Sequence, residues 1–172
     1  MADRPADGTA QRLVAWGDEL VRLHDGFRRD LAALREDADR LRRGLAPRGR
    51  GAPPLAEQLR GHCLAFCDRL HEHHGEEDTA LFPALGADFP ELTAALERLR
   101  REHAVVARLL ARIRAAVAEL EDGPDHDGPD GGRTARLADD LDRLSAELTA
   151  HLDYEEAQLV PVLNRLTTLP GH

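Results

Sequence analysis

The sequence contains the pattern His-x-x-x-Glu twice, at His73–Glu77 and at His151–Glu155. Side chains four residues apart share one face of an α-helix, with Cβ atoms roughly 5–6 Å apart. An imidazole and a carboxylate at this spacing can therefore reach the same metal ion, or two neighbouring ions. A single pair of this kind is usually solvated surface charge. Two such pairs constrain the fold strongly if the residues around them repeat as well.

The surrounding residues do repeat, at two nearly equal offsets. A shift of 78 positions superimposes four residues of one pattern on the other: His73 on His151, Glu77 on Glu155, Leu81 on Leu159 and Pro83 on Pro161. A shift of 79 positions places His24 on His103, and each of these lies 48 or 49 residues before its own pattern. The sequence therefore indicates an internal duplication, with halves at about 10–83 and 90–161.

Apolar residues recur every three or four positions in each half, which predicts amphipathic helices. Four such helices are expected, at about 10–41, 54–83, 90–120 and 134–161. Asp7-Gly8-Thr9 is expected to cap the first, Pro53-Pro54 to open the second, and Pro83 and Pro161 to end the second and fourth. A basic linker at 42–54 and an acidic linker at 121–132 separate them. We expect one all-α domain over residues 1–172, an up-down-up-down four-helix bundle whose halves are related by a pseudo-twofold axis.

Charge and composition exclude several classes of protein. The chain has 32 acidic and 23 basic residues, a formal net charge of −9, which argues against a general nucleic-acid binder. No apolar run reaches the ~18 residues of a membrane span, and the N-terminus lacks a signal-peptide core, so we expect a cytoplasmic protein. Cys63 and Cys67 stand one helical turn apart, where a disulfide between them is unfavourable; small buried side chains are expected.

The two patterns and their preceding histidines fall in the apolar phase of the predicted helices. These candidate metal ligands are His24, His73, Glu77, His103, His151 and Glu155. Burying four imidazoles and two carboxylates without a cation would be costly. Four nitrogen and two oxygen donors suit iron, and also manganese or zinc, and the duplication implies two metal ions. His71 and His74 fall off this line and are expected at the surface or behind the ligands, while His62 lies roughly 16 Å away at 1.5 Å per residue.

These elements resemble a known family. His24, the run from His73 to Pro83, Glu102-His103 and the run from His151 to Glu156 are similar to the motifs of the hemerythrin-like, or HHE cation-binding, domains. The resemblance implies a four-helix bundle around a non-haem di-iron centre, with the four histidines as terminal ligands and the two glutamates as bridges. Oxygen-carrying members have a fifth histidine, expected near His103, where Leu99 and Ala107 stand instead.

With two histidines per iron, two bridging carboxylates and a bridging solvent oxygen, each ion would have about five ligands and one open position. A small molecule can then bridge the pair. The resemblance therefore favours hydrogen peroxide disproportionation, or nitric oxide and peroxide chemistry. Two alternatives stay open: a protein that binds or senses oxygen, nitric oxide or iron without turnover, and an oxygen-dependent enzyme acting on an organic substrate.

Residues beside the ligands are candidates for supporting roles. Tyr154, the only tyrosine, is a candidate to hydrogen-bond a bound peroxide or to ligate iron, the alternative being a packing residue at a helix boundary. Acidic residues next to the ligands are expected to accept hydrogen bonds from imidazole N–H groups; they are Asp25, Asp78, Glu102 and Glu156.

Overall fold

The structure is a computed structural model and describes residues 16–47, 49–120 and 132–166. Within those residues all regular structure is helical: α1 (Trp16–Arg42), α2 (Leu55–Glu76), a π-helical turn (Glu77–Leu81), α3 (Phe82–Asp88), a 3-10 turn (Pro90–Leu92), α4 (Thr93–Glu119) and α5 (Gly132–Leu163). The prediction of four long helices is confirmed. The capping sequence Asp7-Gly8-Thr9 and residues 121–131 of the acidic linker lie outside the described residues.

The four long helices pack as a bundle. Helix α1 contacts α2 and α5, and α4 contacts the same two helices. The side chains between them form two apolar clusters, a larger one that includes Phe27, Phe66 and Leu144 and a smaller one that includes Leu20 and Phe82. The buried histidines and glutamates of the four long helices and of the π-helical turn lie where these two clusters meet; Thr134 and Asp140, also buried on α5, lie elsewhere. The fold therefore places a polar layer across the bundle between two apolar layers.

Two of the expected helix ends are wrong, and both concern proline. Pro83 does not stop the second helix, because α3 continues to Asp88, and Pro161 lies inside α5. Proline removes an N–H and its ring collides with the carbonyl four residues back. At Pro83 this conflict is absorbed by the preceding π-helical turn, in which the N–H of Phe82 donates to the carbonyl of Glu77. At Pro161 only two helical residues follow, and the last, Leu163, is held by burial.

The remaining sequence-based expectations for the core concern the cysteines and membrane insertion. Cys63 and Cys67 are free thiols buried in the larger cluster, as expected. Burial raises their pKa to about 12 and about 11, so both are protonated at neutral pH.

Of the helices that the structure describes, none combines the length and the apolar character needed to cross a membrane.

Candidate metal centre

The bundle brings the six predicted residues into one buried group and adds a seventh. The exposed fraction is at most 9% for every member: His24, Glu155, His151, Glu77, His103, His74 and His73, in order of increasing exposure. All four long helices contribute. Helices α1 and α4 each supply one histidine, and α5 supplies a histidine and a glutamate. Helix α2 supplies His73 and His74, and the π-helical turn that continues it supplies Glu77. The two His-x-x-x-Glu patterns thus meet in the polar layer of the bundle.

The ligand-type atoms form two subsets, each within 4.8 Å of one another. One subset contains two imidazoles, those of His24 and His73, together with Glu77 and Glu155. Its two imidazole Nε2 atoms are 3.3 Å apart, and Nε2 of His73 lies 3.0 Å from Oε1 of Glu77. The other subset contains three imidazoles, those of His74, His103 and His151. The group is therefore divided unequally, two imidazoles against three.

Each glutamate lies between the two subsets. Glu77 places one oxygen against His73 and the other, Oε2, 3.3 Å from Nε2 of His103. Oε2 of Glu155 is 3.7 Å from Nε2 of His24 and 3.4 Å from Nε2 of His151. Both carboxylates thus contact an imidazole of either subset. This is the position that a carboxylate bridging two metal ions must occupy.

His74 is the residue that sequence reasoning missed. It is only 5% exposed, its ring stacks on that of His103 with centroids 3.9 Å apart, and it meets the ring of His151 edge-on at 5.1 Å. Of the two residues expected at the surface or behind the ligands, His71 is exposed, whereas His74 is buried inside the group. One signal pointed to it: His74 and Glu77 are three residues apart, a spacing that also shares a helix face.

The position of His74 bears on the fifth histidine of oxygen-carrying members, which is expected on the third long helix, α4, and is missing there. Leu99 is fully buried in the smaller apolar cluster, and Ala107 is exposed and lines a cavity of about 190 Å³ together with His74 and His103. His74, which comes from α2, occupies the space against His103 instead. The bundle therefore groups three imidazoles on one side and two on the other, whereas the assignment of two histidines to each metal ion stays a prediction.

Unpartnered atoms test whether a metal fits. Among the described residues, most of the buried side-chain nitrogen and oxygen atoms without a hydrogen-bond partner belong to this group: Nε2 of His74, His103 and His151, and both carboxylate oxygens of Glu77 and Glu155. An unpaired buried polar atom costs about 1–3 kcal/mol, so seven of them together are unexplained by packing alone. Neutral imidazole nitrogen and carboxylate oxygen are ligands that iron, manganese and zinc accept. The residues present fit a pair of such ions.

The π-helical turn contributes to this geometry. Glu77 is its first residue, and Thr79 stabilises the turn by donating its hydroxyl to the carbonyl of Gly75 at 2.7 Å. Asp78 lies in the turn directly after Glu77, and its Oδ1 is 2.8 Å from Nδ1 of His103. Single π-helical turns are rare in proteins, and those that occur are often found at functional sites. Here the turn lets two consecutive residues supply carboxylates with different roles: Glu77 belongs to the buried group, and Asp78 contacts the Nδ1 atom of His103.

Acidic residues hold three of the five imidazoles from behind, as predicted for three of the four candidates. Asp78 pairs with His103, Oε2 of Glu102 lies 2.9 Å from Nδ1 of His151, and Oε1 of Glu156 lies 2.9 Å from Nδ1 of His24. The fourth candidate, Asp25, accepts from Arg28 at 3.0 Å rather than from an imidazole. A carboxylate on Nδ1 places the proton there and leaves the lone pair of Nε2 free for a metal.

Burial keeps these imidazoles neutral. It lowers the pKa of His24 to about 4, although the hydrogen bond with Glu156 opposes the change. Burial also lowers the pKa of His74, to about 2, with the neighbouring His103 acting in the same direction, and it lowers the pKa of His151. All three are uncharged at neutral pH. Their nitrogen lone pairs are therefore available as ligands.

The two glutamates behave as a coupled pair. Burial and the negative charge of Glu77 raise the pKa of Glu155 well above its ordinary value. Burial acts in the same direction on Glu77, but the adjacent imidazoles of His103 and His73 outweigh it and hold the pKa of Glu77 well below its ordinary value. Without metal, Glu155 is therefore the member of the pair that holds a proton more strongly. Binding of cations would displace this proton.

Tyr154 packs beside the smaller apolar cluster and beneath an arginine. Its ring packs against the smaller apolar cluster, and the guanidinium carbon of Arg98 is 3.7 Å from the ring centroid. Arg98 in turn donates to Glu102 at 2.8 Å, and Glu102 pairs with His151. These contacts are those of a packing residue, and they connect Tyr154 to a candidate ligand only through Arg98 and Glu102. A direct role in binding a small molecule stays a prediction.

Fold and site together define a class of protein. It is a helical bundle that buries, at its centre, imidazoles and carboxylates of the kind that bind metal ions. The family model described as the hemerythrin HHE cation-binding domain matches residues 17–163. The chain belongs to this family. Comparisons with curated proteins and with solved structures gave no match.

Proposed function

We propose that this chain holds a non-haem di-iron centre that binds one small oxidant molecule. His74, His103 and His151 would hold one ion, His24 and His73 the other, and Glu77 and Glu155 would bridge them. The observation that carries this proposal is the set of seven unpartnered buried ligand atoms, in which both carboxylates contact imidazoles of both subsets. Manganese or zinc would accept part of this donor set. A set with five imidazoles suits iron better than manganese, because manganese sites are rich in oxygen ligands.

The unequal division of imidazoles determines where a small molecule binds. Three imidazoles with one oxygen from each carboxylate would give five protein donors on one side, and two imidazoles with the same carboxylates would give four on the other. The open position is therefore proposed on the His24–His73 side alone, not on both sides. Two iron ions held here would supply that position and two-electron redox chemistry. Binding at one ion is favoured over a molecule that bridges both.

The surroundings favour a small molecule over an organic substrate. The cavity that borders His73 has a volume of about 260 Å³, which is below the roughly 300–1,000 Å³ of sites for drug-sized ligands. Nitric oxide, dioxygen and hydrogen peroxide are the candidates of suitable size. We propose binding of one of these as the function, with a cytoplasmic location and no nucleic-acid partner, in keeping with the net charge of −9.

Peroxide disproportionation is a second candidate, and a specific observation favours it. Glu156 pairs with the Nδ1 proton of His24, is also bound by Arg28 at 2.8 Å, and its side chain is 20% exposed. It thus connects a proposed ligand to solvent and can hold or pass a proton. Proton transfer of this kind is needed for peroxide turnover and not for reversible binding.

The proposed domain architecture follows from the same duplication. We propose that residues 1–172 form one up-down-up-down bundle whose halves, 10–83 and 90–161, are related by a pseudo-twofold axis. The shared positions of the two His-x-x-x-Glu patterns and of their preceding histidines support this arrangement.

Metal analysis and optical spectroscopy of the purified protein test the proposal. We expect two iron ions per chain and an optical spectrum that changes when nitric oxide is added to the reduced protein. Oxygen release from added hydrogen peroxide then separates turnover from binding. A protein that retains a single zinc ion, or no metal after reconstitution with iron(II), would contradict the di-iron centre.

A further inference from the structure

A cleft between α1 and α2 ends at His73. It has a volume of about 260 Å³, and Leu23, Gly26 and Phe27 of α1 form its apolar wall. The ring centroid of Phe27 is 5.4 Å from that of His73. Leu23 stands at the opening with 47% of its surface exposed, which is unusual in this chain for so large an apolar residue. At 9% exposure, His73 is the least buried of the five imidazoles, and this cleft is where solvent reaches it.

The duplication explains why the cleft is open. The offset of 79 that places His24 on His103 also places Leu23 on Glu102. Glu102 covers His151 and accepts from its Nδ1 at 2.9 Å. Leucine cannot accept a hydrogen bond, and across residues 16–47, 49–120 and 132–166 no carboxylate pairs with Nδ1 of His73. The opening therefore lies where the other half of the chain has a carboxylate over its imidazole.

A second departure from the duplication concerns the opposite side. The offset of 78 places His74 on Leu152, which is fully buried in the larger apolar cluster. The subset with His103 and His151 thus gains an imidazole, and the subset with His24 and His73 does not. Both departures act together: one side has more donors, and the other has fewer donors and an opening to solvent.

The charges around the cleft determine which molecules can enter it. Three carboxylates, those of Asp30, Glu72 and Glu76, line it against one guanidinium, that of Arg69. Arg69 already pairs with Asp30, with Nη2 and Oδ2 2.6 Å apart. The opening is therefore net negative. A negative opening lowers the local concentration of anions and leaves neutral molecules unaffected.

We propose that the cleft beside Leu23 is the binding and access site through which a small neutral molecule, such as nitric oxide, dioxygen or hydrogen peroxide, reaches the His24–His73 side of the metal centre. This inference rests on the proposed function, because it concerns how the open side is reached. It assigns to Leu23 the role of admitting neutral molecules and to the acidic rim the role of excluding anions.

Filling the cleft tests the access route. Leu23→Trp places a larger apolar side chain at an exposed position, so the fold is retained. Ala107→Trp is the matched control, because Ala107 is also exposed and borders a separate cavity of about 190 Å³ beside His103. With the reduced, iron-loaded proteins in stopped flow, Leu23→Trp should lower the association rate of nitric oxide by about tenfold or more, which is about 1.4 kcal/mol of barrier. Ala107→Trp should bind nitric oxide at the parent rate.

The metal-free protein gives an independent measurement. Diethyl pyrocarbonate acylates neutral imidazoles, and peptide mass spectrometry locates the product. We expect His73 to react faster than His24 or His151, and Leu23→Trp to slow its reaction by about tenfold relative to the exposed His71 in the same sample. Equal rates at His73 in the parent and in Leu23→Trp would show that the cleft does not lead to this imidazole.

The charge of the rim is tested by comparing an anion with a neutral molecule. In the double variant Glu72→Gln, Glu76→Gln, azide should associate with the oxidised protein about tenfold faster at low salt, while the nitric oxide rate with the reduced protein stays unchanged. Equal acceleration of both molecules, or of neither, would refute the role of the rim.

The outcomes separate this inference from the proposed function. If the parent binds two irons and nitric oxide but Ala107→Trp is the slow variant, the access route is wrong and the di-iron centre stands. If the parent binds no metal, the proposed function fails, and the reaction of His73 with diethyl pyrocarbonate still decides whether the cleft gives access to it.

Discussion

Replacing His74 by leucine should stabilise the metal-free protein and weaken its metal binding. The substitution removes a buried imidazole whose Nε2 has no partner, which costs about 1–3 kcal/mol in the folded state. It also removes the stacking of His74 on His103, which contributes about 0.5–1.5 kcal/mol. Leucine has a similar volume and stands at the equivalent position, Leu152, of the other half. The net gain in the free energy of unfolding should be about 1 kcal/mol, or roughly 2–4 °C in Tm for a chain of this length.

The effect should reverse when metal is present. With His74 gone, one ion keeps four protein donors instead of five, and each tenfold loss of affinity removes about 1.4 kcal/mol of ligand-dependent stability. Urea unfolding with and without iron(II), together with metal analysis, measures both effects. His71→Leu is the matched control, because His71 is exposed and three residues away on the same helix. A variant at His74 that is less stable without metal and still retains two ions would refute the reasoning.

Three further outcomes follow from the site. Glu77→Ala and Glu155→Ala should each lower the metal content and abolish the rise in Tm on metal addition, because each carboxylate contacts both subsets; unequal metal contents would contradict two equivalent bridges. Asp78→Asn should weaken metal binding by about 10–100-fold in a competition titration with a chelator, whereas Asp25→Asn, which alters a carboxylate that accepts from no imidazole, should not. The metal-free protein should lose stability in urea as the pH falls from about 6.5 toward 4. Burial lowers the pKa of His24 to about 4 and also lowers the pKa of His74 and His151, so the unfolded chain binds more protons than the folded one in this range. Glu155, with its raised pKa, opposes this as a single group, and greater stability at pH 5 than at pH 7 would contradict the assignment.

The bundle and most of the site could be predicted from the sequence. Apolar spacing of three and four residues predicts helices wherever tertiary packing follows it, and the four long helices were found close to their expected bounds. The recurrence of His-x-x-x-Glu identified six of the seven residues of the buried group, because a polar residue in the apolar phase of a helix must meet partners inside. Three carboxylates behind the imidazoles were predicted from adjacency alone.

What could not be predicted depends on local departures from helix geometry and from the duplication. The π-helical turn before Pro83 changes the facing of residues after Glu77, and helical periodicity assumes an unbroken α-helix. The sequence places His74 at the surface or behind the ligands because it lies off the helix face that contains His73, although it satisfies the three-residue spacing to Glu77. The opening beside Leu23 is visible only when the two halves are compared residue by residue in three dimensions.

The most direct test of the proposed centre is the Mössbauer spectrum of the protein reconstituted with iron-57. Two ions held by five and four protein donors would be inequivalent, so we predict two quadrupole doublets of equal area at a stoichiometry of two irons per chain. A single doublet from one iron per chain, or no bound iron, would contradict the central claim that the two subsets of imidazoles hold a pair of ions.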